Sequence, residues 1–159
     1  MADQPVNRKL AIGAGIAAGA LGIAATFITA WEGVRTHAYF DSVGVATICV
    51  GHVRHVHMGD VATPEQCASY LRGDLGIALG DVDRCIRRPL TDNQRAALTS
   101  FEFNTGAICR SSIATLANAG APPDVWCKRM GRYVYAGGKV LQGLVNRRAA
   151  EVQLCLKGA

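Results

Sequence analysis

Between Leu10 and Trp31 the chain carries no charged residue, and the first charge after that run is the carboxyl group of Glu32. A stretch of this length and character has to leave water, either in a bilayer core, which it just spans as a helix, or in a protein interior. Its content is unusual for a committed membrane span. Alanine and glycine fill more than half of it, with few leucines, so it partitions into lipid only weakly. The Arg8-Lys9 pair before it favours a cytoplasmic N-terminus, which places everything after Trp31 on the far side of an inner membrane. Three readings follow from the residues alone. A buried core helix is one, although cores rarely hold so many uninterrupted apolar positions. A cleaved signal peptide is another: Ile28-Thr29-Ala30 offers a small residue for cleavage, but the cut would leave Glu32 beside a frayed terminus. The third is a permanent anchor that dimerises through Gly15-x-x-x-Gly19.

The stretch that follows, Trp31–His52, reads WEGVRTHAYFDSVGVATICVGH. Glu32 closes a helix-like approach. Asp41-Ser42-Val43-Gly44 is turn chemistry between two strand-like runs, Thr36–Phe40 and Val45–Val50. The spacing predicts a helix end feeding a β-hairpin, with Glu32, Asp41 and the Thr47 hydroxyl converging on one cleft. Two carboxyl groups held apart by fixed elements are what acid–base cleavage of a glycoside requires.

This stretch resembles the active-site signature of the phage lysozymes, glycoside hydrolase family 24, in which a catalytic Glu is followed by an Asp and then a Thr. Glu32, Asp41 and Thr47 match that order and spacing, and the family's Gly-His ending is present as Gly51-His52. Cys49 departs from it, standing where many members have glycine. Weaker matches continue at Ser100–Gly106, Tyr135–Leu141 and Asn146-Arg147-Arg148, so the resemblance covers residues 31–157. It implies a mainly α (α+β) lysozyme-like fold: a small β-hairpin lobe and a helical lobe joined by a long helix, with a Gly/Ala-rich apolar helix at the N-terminus. It implies an inverting muramidase that cuts the beta-1,4 bond between N-acetylmuramic acid and N-acetylglucosamine of peptidoglycan. Glu32 would be the acid, Asp41 and Thr47 would position a water, and no metal or organic cofactor would be needed. It also places Phe103 and Asn104 on the substrate cleft, as wall and as hydrogen-bonding group, against the alternative that Phe103 is plain core.

The resemblance adds a fourth reading of Leu10–Trp31, which we favour. A subgroup of phage endolysins carries a Gly/Ala-rich signal-anchor-release segment directly before the catalytic Glu. The expected division is then an anchor segment, 1–30, and a catalytic domain, 31–159. Residues 10–31 would hold the chain in the host inner membrane, inactive, until a monomeric enzyme is released into the periplasm. Two other classes stay in view: a lytic transglycosylase, and a wall-binding membrane protein without catalysis. The net charge of +5 suits an acidic partner surface. No arginine-rich recognition helix with interleaved aromatics occurs, so nucleic acid is not an expected partner.

Further along, Thr63-Pro64-Glu65-Gln66 is a helix start, with Leu71, Leu75 and Leu79 on one face. The periodicity predicts one helix over Pro64–Ile86, bent or broken near its glycines. A second helix is expected over Gln94–Asn104 with Ala96, Ala97, Leu98 and Phe101 buried. A third is expected over Ser111–Asn118, a fourth capped by Asp124, and a last over Leu144–Leu156, basic and then apolar. Gly137-Gly138 marks a loop. His55 and His57 read as solvated loop residues, because no third ligand lies near them in sequence.

Six cysteines, Cys49, Cys67, Cys85, Cys109, Cys127 and Cys155, lie spread along the chain with neither CxxC nor Cys/His zinc spacing. In an exported domain an even number favours disulfides; the alternative is a set of buried thiols in a cytosolic enzyme. Sequence alone does not choose among the connectivities. Adjacent pairing is the expectation, because each pair would join neighbouring elements.

Overall fold

The computed structural model describes residues 19–159. The expectations placed on Arg8-Lys9, on residues 10–18 and on the Gly15 half of the glycine pair lie outside the described residues. The chain divides into two compact units, one running to Leu75 and the other comprising Gly76–Ala159.

In the first unit, helix α1 (Ala20–Glu32) buries Ala20, Ala24, Ala25, Ile28 and Thr29. These recur at helical spacing, so the second half of the uncharged segment presents one face of mostly small side chains to the protein interior. Among the described residues no helix is long and apolar enough to cross a membrane. Strands β1 (Arg35–Phe40) and β2 (Ala46–Cys49) pair antiparallel, with Tyr39 opposite Thr47 and Phe40 opposite Ala46. The register shifts between Arg35 and Tyr39, so the first strand carries an irregularity of the kind that sharpens a hairpin's twist.

Helix α2 (Pro64–Cys85) starts on the expected capping box: the Gln66 N–H donates to Thr63 Oγ1 at 3.2 Å, and the Thr63 N–H donates to Gln66 Oε1 at 2.8 Å. The division between the units falls within this helix. It does not break at its glycines. Gly76 and Gly80 are open positions where an added Cβ would touch nothing, and each costs about 1 kcal/mol relative to alanine. Burial of Leu71, Leu75, Ala78 and Val82 outweighs that cost. Ala78 takes the place expected of Leu79, which is half-buried, and Tyr70 and Ile77 are exposed.

In the second unit, α3 (Asp92–Thr105) begins two residues before the expected Gln94. The reason is a second capping box, with the Gln94 N–H on Thr91 Oγ1 at 3.2 Å and the Thr91 N–H on Gln94 Oε1 at 3.0 Å. Ala96, Ala97, Leu98 and Phe101 are buried as expected. Of these, Ala97, Leu98 and Phe101 join Ile108, Ile113, Trp126 and Met130 in one core, where Phe101 meets Tyr133 edge-on at 4.7 Å. A short 3-10 turn (Ile108–Arg110) leads to α4 (Ser112–Asn118), capped by Ser111. Helix α5 (Pro123–Cys127) opens on Pro123 with Pro122 before it and no side-chain cap, and the expected cap, Asp124, sits in its first turn. Proline at the first helical position takes over the start, because its missing N–H is an orphan there in any case.

A 3-10 run (Lys128–Arg132) then feeds a second hairpin, β3 (Tyr135–Ala136) and β4 (Lys139–Val140), which the sequence reading treated only as a loop. Gly137 and Gly138 both take positive φ, 56° and 76°, and so close the two-residue turn that a hairpin favours. Helix α6 (Gln142–Leu156) ends the fold. Among the described residues the fold is mainly α, with two small two-stranded sheets in place of the one hairpin expected.

The cysteines pair as Cys49–Cys67, Cys85–Cys109 and Cys127–Cys155, the adjacent connectivity. The first ties β2 to α2, the second ties the end of α2 to the 3-10 turn after α3, and the third ties α5 to α6. Loops of these lengths contribute about 3 kcal/mol each on the chain-entropy estimate. Cys49 has φ 61°, a left-handed conformation costly for any residue with a Cβ. That is the physical sense of its departure from glycine: the strained backbone position coincides with a covalent tie to α2.

Candidate active site

The candidate acid, Glu32, is the last residue of α1. The helix stops there because Gly33 turns to φ 73° and returns its N–H to the Thr29 carbonyl at 3.1 Å, a geometry that favours glycine. Strand β1 starts two residues later, so helix end and strand fix the acid between two regular elements. Glu32 is exposed and Trp31 is 38% exposed, its ring 6.2 Å from Phe27. The Trp31 indole meets the preceding turn of its own helix through Phe27.

Asp41 follows β1 directly. Its Oδ1 accepts the N–H groups of Val43 at 2.9 Å and Val45 at 2.8 Å. Its own N–H donates to the Val45 carbonyl at 3.0 Å, and Gly44 N–H donates to the Asp41 carbonyl at 3.1 Å. The carboxylate is therefore part of the turn it sits on, and its orientation is set by backbone donors. Thr47 is buried, and its hydroxyl donates to the same Val45 carbonyl at 2.9 Å. Val45 thus fastens both side chains. With its hydrogen committed, Thr47 Oγ1 has only acceptor capacity left, which is what orients a water's O–H. Asp41 on the turn and Thr47 on β2 are both bonded to Val45, and Glu32 stands at the helix end that leads into the same hairpin.

Behind the hairpin lies a support that sequence reasoning missed. His52 is buried, bridges to Ile48 by two backbone bonds of 2.9 Å, and stacks on Tyr70 at 4.3 Å. Its Nδ1–H donates to Asp74 Oδ2 at 2.7 Å, and Arg54 donates to the other oxygen of that carboxylate. A carboxylate only accepts, so this bond fixes the hydrogen on Nδ1. Tyr70 and Asp74 stand four apart on α2, a spacing that puts both on one helix face. That spacing was the available signal.

Phe103 and Asn104 lie on the last turn of α3, in the other compact unit. Phe103 is half-buried; Asn104 is exposed, with its side-chain carbonyl accepting from the Arg148 guanidinium. Arg148 belongs to a buried ionic group. The fully buried Glu151 carboxylate accepts from Ser100 Oγ–H at 2.6 Å, from Arg147 Nε at 3.2 Å and from Arg148 Nη1. Arg148 Nε donates to the Tyr133 carbonyl at 3.1 Å. Reading α6 as basic and then apolar hid this, although Arg147 and Arg148 stand four and three residues before Glu151 on one face. Glu102 was missed as well. Burial pushes its carboxyl up from the ordinary range, offset by the Ile108 N–H that Oε2 accepts at 2.7 Å; nearby Asp81 pushes it further up.

The sequence model of the family described as phage lysozyme matches residues 29–151. A SAR-endolysin of Bacteriophage PS119 is 35% identical across 99% of this chain and 99% of its own length. A SAR-endolysin of Pseudomonas phage phiKMV is 39% identical, with 87% of this chain and 89% of that relative covered. Among solved structures, the active form of the P1 phage endolysin Lyz superposes with a TM-score of 0.79 at 29% identity, covering 86% of this chain and 84% of that one.

Proposed function

The chain belongs to the phage lysozyme family, and on that premise we propose that it is a host-lysis endolysin that hydrolyses the beta-1,4 bond between N-acetylmuramic acid and N-acetylglucosamine. The observation that carries this reading is the double fastening of Asp41 and Thr47 to Val45, on the hairpin that Glu32 leads into. Glu32 gives its proton to the departing glycosidic oxygen. Asp41 takes a proton from a water on the opposite face of the sugar, and Thr47 accepts that water's other hydrogen. Attack from that face inverts the anomeric centre, and a water of this kind needs carboxyl groups about 6.5–9.5 Å apart. Phe103 and Asn104 would contact the glycan, with Asn104 positioned by Arg148.

The test is product analysis on purified peptidoglycan. Hydrolysis yields reducing-end muropeptides by mass spectrometry, and proton NMR of the first product shows the inverted configuration. Asp41→Asn should lower turnover by about 100-fold, and Thr47→Ala by less. Anhydro-muropeptides would instead identify a transglycosylase. A retained configuration would make Asp41 a nucleophile and defeat the water-activation reading, and no cleavage at all would leave a wall-binding protein.

Control of the enzyme belongs to the same proposal, with 1–30 as a signal-anchor-release segment and 31–159 as the catalytic domain. While residues 10–31 lie in the inner membrane, Glu32 is held at the bilayer surface and the tethered form is inactive. The support is that Ala20, Ala24, Ala25 and Ile28 are buried within the protein here, and one helix face cannot occupy lipid and protein interior at once. Weak insertion of an Ala/Gly-rich helix lets loss of the membrane potential release it to the periplasm as a monomer. Gly13, Gly15 and Gly19 changed together to leucine should keep the protein in the membrane fraction and delay lysis after an uncoupler is added. Prompt lysis by a variant that stays in the membrane would sink the switch.

A further inference from the structure

Segment 123–141 holds four cations, Lys128, Arg129, Arg132 and Lys139, against one acid, Asp124. Lys128 reaches Asp124 only at 3.9 Å, and among the described residues Arg129, Arg132 and Lys139 have no ion-pair partner. Apolar side chains stand out of the same surface: Tyr135 is 65% exposed, Val140 53% and Leu141 45%. Tyr135 and Val140 are cross-strand partners on β3 and β4, so they share one face of the hairpin. Lys139 lies on its other face, and the tip between them, Gly137-Gly138, carries no side chain. This surface is firmly mounted. Trp126, Cys127 and Met130 beneath it are buried, the Cys127–Cys155 disulfide ties its base to α6, and Leu141 N–H donates to the Val134 carbonyl at 2.9 Å.

We propose that the surface formed by Lys128–Arg132 and the β3–β4 hairpin docks on an anionic phospholipid bilayer. The side chains decide between the two anionic surfaces an exported basic protein meets. Carboxylates of a wall polymer would engage the cations and leave the tyrosine and two aliphatic side chains in water. A bilayer surface takes both sets: phosphates and anionic headgroups neutralise the cations, while Tyr135, Val140 and Leu141 enter the headgroup–acyl boundary as the bare tip goes in first. This contact is separate from residues 10–31, and it does not depend on which bond the enzyme cuts. It would keep the released domain at the membrane face of the periplasm.

The experiment uses the full-length protein and compares partitioning onto vesicles of phosphatidylglycerol mixed with phosphatidylcholine and onto phosphatidylcholine alone. Residues 10–31 are the same in every variant, so the ratio of the two partition coefficients reads the proposed surface. The parent should prefer the anionic vesicles, with a preference that fades as salt rises. Arg132→Glu with Lys139→Glu should lower anionic partitioning by roughly 30-fold or more and leave the neutral vesicles nearly unaffected. If charge reversal disturbs folding, Arg132→Gln with Lys139→Gln reads the same surface and should give a smaller loss of the same kind. Tyr135→Ser with Val140→Ser should weaken binding to both vesicles. An anionic preference that survives the charge variants overturns the proposal. So does an undiminished vesicle affinity accompanied by lost co-sedimentation with purified peptidoglycan sacculi, which would make this a wall-binding face.

Discussion

Glu32→Gln should cut turnover on peptidoglycan by about three orders of magnitude and leave the melting temperature unchanged within error. The amide fills the volume of the acid but has no proton to give a leaving oxygen, so the loss falls on the chemical step. Stability is expected to hold because Glu32 is exposed, and because the helix end is made by Gly33 and its bond to Thr29, which the substitution leaves alone. The measurement is release of labelled fragments from purified sacculi, read beside a thermal unfolding curve of the same preparation. Near-parental release by a folded variant would remove Glu32 from the mechanism.

The largest stability effect is expected at Glu151. Its carboxylate is 0% exposed and lies between Arg147 and Arg148, which are 5% and 1% exposed. Glu151→Ala would remove the one carboxylate that offsets the charge of both buried guanidinium groups and accepts from Ser100 Oγ–H, at a cost of about 3–5 kcal/mol. Total stabilities of such domains run only to about 5–15 kcal/mol, so the melting temperature should fall on the order of 10 °C. Activity should fall too, because Arg148 also holds Asn104 and the Tyr133 carbonyl. A companion variant separates lost packing from unbalanced charge: Arg148→Met with Glu151→Leu removes one charge of each sign and should recover part of the loss. A Glu151→Ala protein that melts within a degree or two of the parent would show that the group is a bystander.

The parts of this protein legible in its sequence are those whose partners sit within a few residues. Thr63 with Gln66 writes its capping box in four positions, and it forms. Asp41 to Gly44 writes its turn the same way, since the groups that bond Asp41 lie between Val43 and Val45. The order of Glu32, Asp41 and Thr47 along a helix end and hairpin is local for that reason, and it gave the family before any fold was known. The second hairpin escaped because strands of two residues are too short to show a period.

Tertiary structure decided what depends on groups far apart in the chain. Arginines at 147 and 148 look like a solvated basic patch until Ser100 and the Phe101–Tyr133 core close over them with Glu151. Asp74 looks like surface charge on an exposed helix face until the end of β2 brings His52 against it. Cysteine pairing is of the same kind: the thiols join because strand and helices bring them within reach, 18, 24 and 28 residues apart in sequence. A hydrogen bond to a neighbouring backbone group forms wherever the local chain allows it. A buried charge is stable only where the whole fold supplies its partners, so its position is fixed by packing and not by the residues beside it.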